Sequence, residues 1–99
     1  MTRPVRRVTP AELREVFNVG RYYERVVANE LIATVESERP ARPEANQPAG
    51  TVSQMVWYYD MSFQRLALVH QYLRRDGTLG GSGRPDPKRL LLDEEILFC

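Results

Sequence analysis

Two runs of β-branched and aromatic residues, Val52 to Asp60 and Arg65 to Leu73, stand either side of the short break Met61-Ser62-Phe63-Gln64. Runs of this make-up, joined so closely, pair as an antiparallel hairpin, and a hairpin is stable only when further structure covers one of its faces. Period-two alternation sorts the side chains. Met55, Trp57 and Tyr59 fall on one face of the first run, with Val52, Gln54, Val56 and Tyr58 on the other. In the second run Leu66, Leu68, His70 and Tyr72 share a face, and Ala67, Val69, Gln71 and Leu73 share the opposite one.

The cover comes from upstream. Thr9 can cap a helix whose first position is Pro10, and Glu12 closes a capping box, with Val8 and Leu13 at the staple positions. Leu13, Val16, Phe17, Gly20, Tyr23, Val27, Leu31 and Val35 then recur at three- and four-residue steps, which predicts one long helix over 9–36. The β-branched content of Leu31-Ile32-Ala33-Thr34-Val35 leaves a strand open as the alternative for its last turns. A second apolar row, Val19, Tyr22, Val26 and Ile32, is wider than a small sheet covers and points to a homodimer.

From 38 to 50 the segment ERPARPEANQPAG carries three prolines and no apolar side chain larger than alanine, so it reads as an extended connector. Residues 51–99 read as antiparallel strands interrupted by a Gly/Pro loop over 76–88. Arg89 to Leu92 and Glu95 to Phe98 flank Asp93-Glu94 as a terminal hairpin or one bulged strand. A chain of 99 residues has room for one core. The fold class predicted is therefore α+β, a single domain over 1–99 with one long N-terminal helix packed on a small antiparallel sheet of three to four strands.

Composition narrows function by exclusion. A formal net charge of +1 gives no strong field for steering nucleic acid from a distance. Cys99 is the one cysteine and His70 the one histidine, which is too few for a zinc site or an internal disulfide, so no metal and no cofactor are expected. No apolar core of a signal peptide follows the basic opening MTRPVRRV, and no stretch is apolar enough to span a bilayer; the expectation is a cytoplasmic protein without a membrane partner. Arginine outnumbers lysine thirteen to one, a bias that GC-rich codon usage explains as well as phosphate recognition does.

Chemistry-bearing residues concentrate between Leu66 and Lys88. A candidate catalytic set is His70 as acid or base near neutral pH, Tyr72 as its orienter, and Arg74 and Arg75 stabilising a phosphoryl transition state. Gly81, Ser82 and Gly83 can expose backbone N–H groups, and with Arg84 and Lys88 they form a candidate ligand-binding set. The loop is not a nucleotide fingerprint, because Arg84-Pro85-Asp86-Pro87 follows where a helix would have to begin. Each feature also has a plain structural account: a hydrogen-bonded strand histidine, a flexible connector, and cations paired with Asp76, Asp86 or the Asp93-Glu94-Glu95 run. Met55, Trp57 and Tyr59 likewise read as core and sheet surface rather than a base-stacking platform.

The run HQYLRRDGTLGGSGRPDPKRLL resembles a motif of small uncharacterised bacterial proteins. It spans at most the last third of the chain, and the resemblance implies membership without an activity to carry over. The leading functional expectation is a small non-catalytic interaction module, homodimeric, whose contact surface is the stretch from Arg74 to Lys88. The alternative is an RNA-binding or RNA-cleaving, toxin-like module acting on single-stranded RNA without a metal. The position of His70 separates them: a basic cleft favours the second, burial under the helix the first.

Overall fold

The computed structural model describes residues 2–99. In chain order it holds β1 (Val5–Arg7), α1 (Pro10–Val19), α2 (Tyr22–Val27), β2 (Ile32–Pro40), a 3-10 turn (Pro43–Ala45), β3 (Val52–Tyr59), β4 (Arg65–Leu73), β5 (Asp86–Leu91) and β6 (Ile96–Phe98). The strands form one six-stranded sheet in the order β1-β6-β5-β4-β3-β2. All pairs are antiparallel except β1 with β6, where Val5, Arg6 and Arg7 run parallel to Ile96, Leu97 and Phe98 and join the two ends of the chain. The fold is α+β, but two short helices replace the long helix predicted over 9–36, and six strands replace three to four.

The helix starts where local chemistry places it. Thr9 Oγ1 accepts from the Glu12 N–H at 3.1 Å, and Glu12 Oε1 accepts from the Thr9 N–H at 3.3 Å, so two orphan donors are satisfied reciprocally. Its end is also local. Gly20 caps α1 and Arg21 takes a left-handed φ of 54°, turning the chain into α2. α2 closes in a Schellman motif with Asn29 in the left-handed region at φ 61°; the Asn29 N–H donates to Val26 O at 3.0 Å and the Glu30 N–H to Arg25 O at 2.8 Å. Apolar periodicity runs through Asn29 without a break, which is why it overstates the helix.

Beyond that cap, Ile32–Pro40 pairs with β3 as the outer strand, with Thr34 opposite Trp57 and Val35 opposite Val56. The strand alternative for Leu31 to Val35 is the one realised, and it extends into the segment expected to be connector. Glu36, Glu38, Arg39 and Pro40 suit an edge strand, since charge and proline there block pairing with another chain. The connector is therefore shorter than 38–50, and the Ala41 N–H still donates to Thr51 O at 3.0 Å. At the far end the terminal hairpin is present, Leu91 opposite Ile96.

Leu13 and Phe17 of α1 pack with Val56, Tyr58, Ala67, Val69, Leu90 and Leu97 to make the core. Cross-strand pairing lines these up, with Val56 opposite Val69, Tyr58 opposite Ala67, and Ala67 opposite Leu90. The row expected to mediate a homodimer is dispersed: Val19 is 78% exposed, Tyr22 and Val26 pack at the core edge, and Ile32 belongs to β2. The complementary row, Met55 opposite His70, Trp57 opposite Leu68, and Arg89 opposite both Leu68 and Phe98, faces away from the helices and forms an open side of the sheet.

Candidate functional site on the open sheet face

Because Ala67 and Val69 of β4 face the helices, alternation turns Leu68, His70 and Tyr72 to the open side. Ser53 stands opposite Tyr72 and diagonal to His70, and its Oγ lies 2.7 Å from His70 Nε2. The Tyr72 ring meets the imidazole edge-on, centroids 4.7 Å apart at 89°, and fixes the ring plane. Asp86 is the β5 neighbour of His70, but its carboxylate is occupied by Lys88 Nζ at 2.9 Å and approached by Arg14 at 3.7 Å.

Partial burial pushes the His70 pKa below its ordinary value, and the positive charges of Lys88 and Arg39 push the same way against the opposing pull of Asp86. At neutral pH the ring is uncharged and keeps a basic nitrogen. It sits on a ridge between two shallow depressions that share His70 and Tyr72. One, of about 500 Å³, is walled by Arg39, Arg42, Glu44 and Ser53. The other, of about 510 Å³, is walled by Met55, Gly81, Ser82, Arg84 and Lys88.

Arginines dominate the rest of the face. Arg65 lies over the Trp57 ring at 4.4 Å and Arg7 over Phe98 at 5.4 Å, while Arg39 stands opposite Ser53 and Arg89 opposite Phe98. None of these four is ion-paired among the described residues; the ion pairs use Arg6, Arg14, Arg84 and Lys88 instead. On this face internal pairing neutralises Lys88 through Asp86 and leaves the charges of the four arginines uncompensated among the described residues. Trp57 is 7% exposed, and its Nε1–H has no hydrogen-bond partner among the described residues.

The predicted residues separate into groups. His70 and Tyr72 come together, and Gly81, Ser82, Arg84 and Lys88 border the second depression beside them. Arg74 and Arg75 lie beyond the end of β4: Arg74 Nε donates to Gln47 Oε1 at 3.3 Å, and the Arg75 side chain lies against Gly50. Gly81 and Gly83 adopt left-handed φ values of 65° and 80°, as their freedom allows. Arg84 ties the loop to the helices through Glu24 at 2.8 Å and Asn18 at 3.1 Å, so its charge is largely spent there.

Ser53, Arg39 and Arg42 escape a reading of sequence alone. Alternation does put Ser53 on the face of Met55 and Trp57, which was a usable signal, but only the β3–β4 register brings it to His70. Among the described residues no cluster of three or more His, Cys, Asp and Glu side chains forms a possible metal site, and no helix is long and apolar enough to cross a membrane. Comparison with models of known protein families, with curated proteins and with solved structures found no match.

Proposed function

We propose that the protein is a binding module for single-stranded RNA, held along the open face of the sheet and across the two depressions. The observation that carries this reading is the set of four arginines, Arg7, Arg39, Arg65 and Arg89, without ion pairs among the described residues and set beside Phe98, Tyr72 and Met55 on one surface. Guanidinium groups bind phosphate oxygens, and aromatic rings stack on unpaired bases regardless of sequence. Cations already resting on rings are positioned before the ligand arrives, which lowers the entropy lost on binding. His70 and the Ser53 hydroxyl are the polar groups within this surface able to meet a ribose 2′-hydroxyl. His70 standing in a basic depression, away from the helices, also favours this reading over a catalytically silent scaffold.

Titration of a fluorescein-labelled single-stranded RNA by anisotropy at several salt concentrations tests it. Affinity is expected to fall linearly on a log–log plot as salt rises, and Arg39→Ala and Arg89→Ala should each flatten that slope by about 0.7. A wild-type protein that leaves anisotropy unchanged at low salt refutes the proposal.

A further inference from the structure

Resting on that reading, we infer that the bound strand is also cut here, with His70 as the general base that takes the proton of a ribose 2′-hydroxyl. A strand long enough to occupy both depressions must cross the ridge that separates them, and that ridge is His70 with Tyr72. The hydroxyl of Ser53 occupies Nε2 at 2.7 Å from the side of the first depression, so a hydroxyl of the strand reaches this nitrogen by displacing Ser53, in the tautomer that leaves Nε2 unprotonated. A ribose hydroxyl replacing it meets the same nitrogen. Tyr72 holds the ring against rotation while Arg39 and Arg42 line the wall where phosphate charge would collect. Burial and the nearby cations keep the imidazole uncharged at neutral pH, the state a base requires.

The step balances without a metal or an added reactant. The 2′-oxygen forms a bond to the adjacent phosphorus as the bond from phosphorus to the 5′-oxygen breaks. The 2′-hydroxyl proton passes to His70 Nε2, and the departing 5′-oxygen takes a proton from water in the open depression. His70 then returns its proton to solvent. The products are a 2′,3′-cyclic phosphate and a 5′-hydroxyl, with no net consumption of water.

The test uses a labelled single-stranded RNA, the same sequence with every ribose 2′-deoxy, and wild-type, His70→Ala and His70→Gln proteins whose circular dichroism matches. Wild type is expected to cut the RNA to a cyclic phosphate end and to leave the deoxy strand whole. Both variants are expected still to bind the RNA, with affinity lowered by no more than about tenfold for the lost His70 contact, yet to cut it at least about 100-fold more slowly. Binding without cutting by wild type overturns this inference and spares the binding proposal, whereas absence of binding overturns that proposal itself. Cutting that persists undiminished in both variants, or that yields a 3′-hydroxyl, removes His70 from the role.

Discussion

His70 and Asp86 are cross-strand neighbours in the β4–β5 register, yet the Asp86 carboxylate lies 2.9 Å from Lys88 Nζ and is diverted from the imidazole. A carboxylate bonded to the ring would stabilise the imidazolium; here burial dominates, with Lys88 and Arg39 adding to it, and the charged form is disfavoured. An NMR titration of the ring should give a midpoint below 6.5. Lys88→Ala should raise that midpoint, and Asp86→Asn should lower it further. Since the folded value lies below the unfolded one, the stability contributed by neutral His70 is present above pH 6.5 and is lost as pH falls through the folded midpoint. A midpoint above 6.5 contradicts the account.

The reciprocal bonds between Thr9 and Glu12 close the first turn of α1 on the exposed side, where water competes with them. Thr9→Ala removes the acceptor for the Glu12 N–H and should lower unfolding free energy by about 1 kcal/mol, while Thr9→Ser should retain most of it. Urea denaturation of the three proteins, compared at equal m-value, checks this.

Leu90 is fully buried on β5 beneath α1, whereas Val19 at the end of α1 is 78% exposed. Leu90→Ala should cost about 2–5 kcal/mol, because the transfer free energy is lost and a cavity remains. Val19→Asp should change stability by less than about 0.5 kcal/mol and leave the sedimentation behaviour unaltered. A large effect of Val19→Asp on either quantity would restore the apolar row that the fold disperses.

Gly50 and Gly77 both hold φ at 87°, but they differ in surroundings. A methyl group at Gly77 meets nothing, and at Gly50 it would run into the Arg75 side chain. Gly77→Ala should therefore lose only the backbone cost, about 1–2 kcal/mol. Gly50→Ala should lose more, by the work of displacing Arg75, and thermal denaturation of the two variants side by side measures the difference.

Interactions that close within a few residues were legible from the chain itself. The Thr9 cap, the proline at the first helical position and the alternation of β3 and β4 depend on neighbours at fixed spacing, so the residue types suffice to specify them. The end of α2 belongs to this class too, since Asn29 is a recognised helix stop, although the apolar pattern on either side obscured it. Tertiary structure alone decided the rest. Leu31 to Val35 carries a pattern compatible with helix or strand, and the open flank of β3, with Trp57 and Val56 to pair against, made it a strand. β1 exists only because β6, at the opposite end of the chain, offers it a ladder. Alternation could say that His70 and Ala67 lie on opposite faces, but not which face the helices would cover. That choice fell to the larger gain from burying Val56, Tyr58, Val69 and Leu90 against Leu13 and Phe17, and it left His70, Ser53 and the four arginines facing outward.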